Sequence, residues 1–426
     1  MTTEEYLKSK FPDLEFANLI AAPDHPGFNY NGFKPGSTVI PAGHMKSPGR
    51  KAFPIDILYE RDVAITMRDG IRIYTDVFRP IGSEATRIPA LIPWSPYGKS
   101  GTGPFEYDKM GPFSCGVSFG QTSGYEKFEG PDPAYWCEKG YAIISVDSRG
   151  AGMSEGNIHF WGQQEAEDIY DTIEWVSKQP WCNGSVGMVG NSWLAISQLN
   201  FTSRLKHPAL KALAPLEGAT DAYVDLVARG GVPQNLKFYE SLLDAFAGPN
   251  SVEALRKMIF KRPLYDDYWA SKTAHTENID VPLYMLASYS TKLHARGSIH
   301  AFRTAKTKDK WLRVHPYQEW PDLYDSEVSE DLVGYFDHFC KGMDNGWERK
   351  TPPVRLSLLA FDGSPVQTVI NRAEQEYPLA RQKLQTLYLD AATKQLLPEK
   401  PRTAAKVSHE GHSLTASSVR LCLSPV

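Results

Sequence analysis

The stretch Ser185-Val186-Gly187-Met188-Val189-Gly190-Asn191-Ser192-Trp193-Leu194-Ala195 places one hydroxyl where it can do chemistry. It reads as a short apolar strand, a glycine, a serine at a tight corner and then a helix. A serine lifted from a sheet edge in this way serves as a nucleophile in acyl transfer, and its pattern is Gly-x-Ser-x-Gly. Small residues flank the serine because the strand-to-helix turn is strained and leaves no room for large side chains. Gly190 fits the pattern. Leu194 stands where the second glycine is expected, with Ala195 beside it. Acyl transfer also requires a base for the serine proton, a group that orients the base, and donors for the oxyanion.

The rest of the chain must position these groups. Its 426 residues are 42% hydrophobic and 23% charged, enough for a large core and more than one domain. The net charge of −4 and the lack of a basic run argue against nucleic acid as a partner. The polar start lacks an apolar signal segment, and no apolar run is long enough to span a membrane. Five scattered cysteines form neither a metal spacing nor a disulfide framework, and point to reduced thiols in the cytoplasm. No phosphate-binding glycine loop or metal motif is present, so neither a cofactor nor a metal is expected. The expected partner is a small-molecule acyl substrate, and the sequence is compatible with an oligomer.

Residues 1–55 are rich in Pro and Gly and read as an extended arm. Residues 56–219 read as the first part of an α/β core. It opens with a hairpin around Asp69-Gly70 and continues with strands at Ile88–Trp94, Tyr141–Val146 and Leu210–Leu216. Ala166, Ile169, Ile173 and Val176 recur at helical spacing between Gln163 and Gln179. Residues 220–280 read as a cap. Residues 281–346 complete the core, with strands at Val281–Ala287 and Trp311–His315. Residues 347–426 change to a β-type pattern and read as a shortened β domain.

Five segments carry a further signal: Met67–Gly70 leading to Thr75–Pro80, Ser95-Pro96-Tyr97-Gly98-Lys99, Val146–Gly156, Asp168–Trp175 followed by Pro180-Trp181 and the serine corner, and Trp320–Tyr324 followed by Tyr335–Gly342. In order and spacing they resemble the X-Pro dipeptidyl-peptidase and cocaine-esterase family of serine hydrolases. The resemblance implies an α/β-hydrolase sheet, a helical cap and a C-terminal jelly-roll, here partial. It also implies that the Tyr97 hydroxyl and the Trp193 N–H stabilise the oxyanion.

The family places an aspartate after the seventh strand and a histidine after the eighth. In this chain the first position falls at Thr291 or Lys292, and the second at Glu319. The same two loops carry His294 and Glu319. An exchange of roles follows, with Ser192 as nucleophile, His294 as base and Glu319 orienting it, since a triad is defined by geometry and role. His315 is an alternative base and Asp221 an alternative acid. His294 could instead cap or pack a loop, and Glu319 could pair with Arg296 or Arg313. Asp147-Ser148-Arg149-Gly150 reads as a structural brace, with the Asp and Arg paired.

The expected activity is that of a serine hydrolase or acyltransferase on a small-molecule ester, amide or thioester. The competing expectation is a non-hydrolytic member, a lyase, cyclase or binding scaffold with a degenerate triad. Proline-directed peptidase activity would need a site for a free amine, for which the cap offers Asp225, Glu240, Asp244, Asp266 and Asp267.

Overall fold

The Asp69-Gly70 turn joins two long antiparallel strands, Ile57–Thr66 and Arg72–Pro80, as the sequence pattern requires. Gly70 takes a φ of 86°, the left-handed region that favours glycine in such turns. The hairpin is one side of a large central sheet. The computed structural model describes residues 2–30, 32–103, 105–110, 113–234, 236–289, 291–361 and 365–408.

Across the sheet the strands run Val369–Glu374, Val354–Leu358, Lys310–His315, Leu283–Ser288, Leu210–Leu216, Cys182–Asn191, Ile88–Ile92, Ala142–Asp147, Arg72–Pro80, Ile57–Thr66 and Gly36–Ile40. From Val354–Leu358 to Ala142–Asp147 every pairing is parallel, and the outer pairings are antiparallel. This is an α/β fold with a mostly parallel sheet, and helices such as Gln163–Ser177 and Trp193–Arg204 cover it. The expected helical stripe is buried: Ala166, Ile169, Ile173 and Val176 are fully enclosed.

Parallel strands bring their carboxyl ends to one edge, where ligands bind in open α/β sheets. Four neighbouring strands matter here. Asn191 is level with Leu216, Leu216 with Leu286, and Ser288 with His315. The loops that follow them carry Ser192, Glu217, His294 and Glu319.

The N-terminal arm is more structured than an extended strap. Thr3–Lys10 is a helix closed by a Thr2/Glu5 capping box. Phe16–Asn18 pairs antiparallel with Ser251–Glu253 in the cap, and Gly36–Ile40 becomes an edge strand of the central sheet. The cap region contributes the helical segments Ala222–Val227, Leu236–Asp244, Leu255–Lys261 and Asp267–Ala270. Phe11, Tyr97, Phe160, Trp193, Leu226 and Trp269 belong to one buried cluster that joins arm, cap and serine corner.

The expected boundary at residue 347 lies elsewhere. Val354–Leu358 joins Lys310–His315 in parallel and Val369–Glu374 pairs with it in turn, so the first compact unit runs to Gln375. The physical reason is edge protection. Without these strands Lys310–His315 would expose unpaired backbone, and the apolar side chains of Val354 and Leu356 would lose their buried positions. The second unit begins at Glu376 and contains the strand pair Tyr388–Asp390 and Gln395–Leu397. Residues 409–426, the end of the expected β domain, lie outside the described residues, and Cys422 with them. No helix among the described residues is long and apolar enough to cross a membrane.

Candidate active site

Ser192 follows the strand Cys182–Asn191 and precedes the helix Trp193–Arg204, with φ 53° and ψ −116°. A serine held at positive φ is strained, and such strain persists only where the surroundings impose it. The Asn191 N–H donates to the Glu129 carbonyl at 3.0 Å, and the Ser192 N–H to the Glu217 carbonyl at 3.0 Å. Glu129 and Glu217 are themselves at positive φ, 64° and 63°. The corner is therefore held from both sides by main-chain bonds.

Gly190 is obligatory. A Cβ there would lie 2.7 Å from the Glu129 carbonyl oxygen and 2.8 Å from the Leu194 Cβ. The same contact accounts for Leu194 in place of a glycine: the space beside it is the space Gly190 leaves empty. Close approach of the helix is recovered one residue later, where Ala195 sits against Gly218.

Tyr97 is buried and lines the same cavity as Ser192. Burial pushes its phenol pKa far up, and the Glu129 and Glu319 carboxyls add to the effect, so it stays a neutral donor. Trp193 begins its helix, where N–H groups have no intrahelical acceptor. Its indole donates to Glu165 Oε1 at 2.9 Å, and Trp94 donates to the same oxygen at 3.2 Å. Burial raises the Glu165 pKa to about 8 in spite of these bonds.

His294 and Glu319, from separate loops, meet. His294 Nδ1 lies 2.8 Å from Glu319 Oε2, and both residues are buried. Glu319 Oε2 also accepts from Asn191 Nδ2 at 3.2 Å, which ties the acid to the residue before the serine. Burial alone would lower the His294 pKa. The Glu319 carboxylate overrides it, with smaller help from Glu217 and Asp225, and leaves it raised.

His294 precedes the helix Ala295–Thr304, whose docking fixes the imidazole. Arg296 pairs with the buried Asp225 of the cap. The Gly218 N–H donates to Ser298 Oγ at 2.9 Å. Gly297 permits the approach: a Cβ there would lie 2.5 Å from the Ala219 Cα.

The other candidates are engaged elsewhere. His315 Nε2 lies 2.6 Å from Glu217 Oε1, its ring is fully buried, and it does not line the site cavity. Asp221 accepts the N–H groups of Tyr223 and Val224 as a helix cap and a hydrogen bond from Thr273. Arg296 pairs with Asp225 and Arg313 with Asp322, so neither takes Glu319. Arg149 does brace the fold, but its partners are Asp168 and Asp69 in place of Asp147. Asp147 lies 3.9 Å from the buried Lys127.

Ser192, Tyr97, His294 and Glu319 line one cavity of about 290 Å³, together with Glu129, Trp320, Phe238 and Leu242. Thr291 and Lys292, at the family's acid position, line it as well and supply no carboxylate. The ligating atoms of Glu217, His294 and Glu319 all lie within 4.8 Å of one another, a donor set a divalent ion could use. In the structure two of them bond each other. Glu129, Glu217 and Asn191 gave no signal in the sequence motifs, although Glu217 directly follows a strand beside the serine strand, at the sheet edge where sites form.

Residues 69–318 match the family model of X-Pro dipeptidyl-peptidase (S15 family). The chain belongs to this family. The cocaine esterase of Rhodococcus sp. is 32% identical to this S15 chain over 162 residues, 38% of the chain and 24% of the esterase. A solved CocE/NonD family hydrolase of Staphylococcus aureus matches with a TM-score of 0.76 and 30% identity, over 87% of this chain and 64% of that one. An α-amino acid ester hydrolase shares the fold, with a TM-score of 0.62 at 18% identity over 84% of this chain and 64% of that one. The S15 chain thus spans about a quarter of the cocaine esterase and under two thirds of the two solved structures. The α/β-hydrolase fold and the membership in a serine hydrolase family agree with the reading of the sequence.

Proposed function

We propose that this chain cleaves a small-molecule ester, amide or thioester through an acyl-Ser192 intermediate, with His294 as base and Glu319 as its orienting acid. The observation that carries the reading is the His294 Nδ1–Glu319 Oε2 contact of 2.8 Å in the cavity that Ser192 also lines. With Nδ1 held by the carboxylate, Nε2 is the nitrogen left for the serine. Ser192 Oγ attacks the acyl carbonyl while His294 Nε2 takes its proton. Tyr97 O–H and Trp193 N–H donate to the oxyanion. Collapse of the tetrahedral species breaks the bond to the leaving group, which takes the proton from His294. Water then attacks the acyl-serine by the same steps and releases the acid. An alcohol, amine or thiol in place of water would make the reaction an acyl transfer.

Peptide substrates with a free amine fit less well. Asp225 pairs with Arg296, Glu240 with Arg256 and Asp266 with Arg262, and none of the five cap acids lines the cavity. The cap presents Phe238 and Leu242 instead. The paired His294 and Glu319 also weigh against a binding scaffold without acyl chemistry.

A fluorophosphonate probe tests the reading. The purified wild-type protein becomes labelled, and Ser192→Ala does not, with a loss of p-nitrophenyl ester hydrolysis of about 10⁴-fold or more. No labelling of a folded wild type, or full activity in Ser192→Ala, overturns it.

A further inference from the structure

A second cavity, of about 300 Å³, lies apart from the catalytic one. Among the described residues the two share no wall. The N-terminal helix Thr3–Lys10, the cap and the turn before the helix Gln163–Ser177 all contribute to it. Leu7, Phe11, Leu14, Trp161 and Tyr268 give it apolar sides. Its volume is at the lower end of the range for small-molecule pockets.

The charged residues on its wall are Lys10, Arg204, Glu253 and Lys272. Glu253 is already satisfied. Lys272 Nζ donates to Oε2 at 2.7 Å, the Phe160 N–H donates to the same oxygen at 3.0 Å, and the Tyr268 O–H donates to Oε1 at 2.6 Å. His159, also on the wall, is kept neutral by burial, which lowers its pKa. Lys10 and Arg204 are left, two cations with no carboxylate partner among the described residues. Lys10 is exposed, with Nζ 5.2 Å from the centre of the Phe11 ring.

Arg204 is half-buried and fixed. Nε donates to Asn200 Oδ1 at 2.8 Å, and Nη2 donates to the Ser271 and Thr273 carbonyls at 2.8 and 2.9 Å. These partners place the guanidinium at the cavity. Ser271 is on its wall, and so is Gly162, whose N–H shares Asn200 Oδ1 at 3.0 Å. Nη1 has no partner among the described residues, and it is not among the polar atoms sealed from solvent. Burial lowers the Arg204 pKa, yet an arginine stays charged. A guanidinium half out of water, with an open N–H and no acid, gains most from an oxygen anion. One open nitrogen suits a monoanion better than a phosphate dianion.

We propose that this cavity binds an amphipathic carboxylate, whose anion accepts from Arg204 Nη1 and whose apolar body lies against Leu7, Phe11, Trp161 and Tyr268. Lys10 adds to the positive field. Neutral apolar molecules lack the anion, and short acids lack the body. The inference stands apart from the acyl-serine reading, because the two cavities have different walls.

Isothermal titration calorimetry tests it with 4-phenylbutyrate, octanoate and 1-naphthylacetate, each against its primary amide. At least one acid binds wild type about tenfold or more tightly than its amide, the difference one charge-assisted hydrogen bond makes. Acetate does not bind at the same concentrations. Arg204→Gln, which keeps N–H donors without the charge, erases the difference between acid and amide. Leu7→Trp fills the apolar side and weakens acid and amide alike by about tenfold. Lys10→Gln, at an exposed position, weakens the acid alone by about two- to threefold at low ionic strength. Circular dichroism and thermal melts check that each variant is folded. If Arg204→Gln unfolds, Leu7→Trp and Lys10→Gln carry the test. The proposal is overturned if no acid outbinds its amide, or if folded Arg204→Gln keeps the preference. Unchanged affinity in Leu7→Trp also overturns it, and puts the acid in the serine cavity, whose oxyanion donors suit a carboxylate too.

Discussion

The serine corner and the two loops opposite it are held by different kinds of bond. At the corner the chain is fixed through its main chain. The N–H groups of Asn191 and Ser192 donate to the Glu129 and Glu217 carbonyls, and Gly190 lets the helix close in. Opposite, side chains hold the arrangement: His294 to Glu319, Glu319 to Asn191, Arg296 to Asp225 and Ser298 to Gly218. Main-chain bonds constrain residue size and backbone conformation and leave side-chain identity free, which is how Leu194 can occupy a glycine's place. Side-chain bonds constrain chemistry and leave chain position free. An imidazole and a carboxylate can trade loops so long as the same atoms meet.

The largest test of this contrast removes the imidazole. His294→Gln lowers kcat/KM by about 10⁴–10⁶-fold with the fold retained, measured by ester hydrolysis and circular dichroism. Activity that survives would break the contrast, because the side-chain half would then be dispensable.

Glu319→Gln comes next, with an expected loss of about 10⁴-fold in kcat from an imidazole without its orienting charge. The pH profile sharpens the point. A base acts when neutral, so in wild type activity rises with pH through a His294 pKa that lies above the ordinary histidine value. Replacing the carboxylate by an amide removes the largest cause of that raise and leaves burial, which lowers it. The rising limb therefore moves to lower pH in Glu319→Gln, as read from kcat/KM against pH.

Gly297→Ala probes the docking that brings the two halves together. The added methyl would stand 2.5 Å from the Ala219 Cα, so the helix must shift. Displacement of the imidazole by about 1 Å costs about 10²-fold in activity. Thermal melts together with ester hydrolysis check it: activity falls far more than stability.

The smallest effect on catalysis is expected at the second buried histidine. His315→Leu leaves Glu217 Oε1 without its partner and costs about 1–3 kcal/mol of stability by urea unfolding. It should retain about 10³-fold more activity than His294→Gln. The reverse ranking would make His315 the base.

Much of this is legible in the sequence. The Asp69-Gly70 hairpin, the buried stripe of Gln163–Ser177 and the parallel strands follow from turn chemistry and hydrophobic periodicity, which act within a few residues. The Ser192 corner is legible for the same reason. The boundary after residue 347 is not legible, because Val354–Leu358 alternates like any sheet strand and nothing local says which sheet it joins. Glu129 and Glu217 escaped notice because their roles depend on carbonyls that point at a strand far along the chain.

The sequence by itself determined the fold class, the place of the Ser192 corner and the loops that carry His294 and Glu319. Strained turns and strand periods are set by the residues that form them. Which histidine meets which carboxylate was decided only by tertiary structure. His315 ends its strand at the serine edge, and His294 lies six residues beyond the end of the neighbouring strand at Ser288. The level register of the four strands and the Gly297 contact put one against Glu319 in the cavity and bury the other against Glu217.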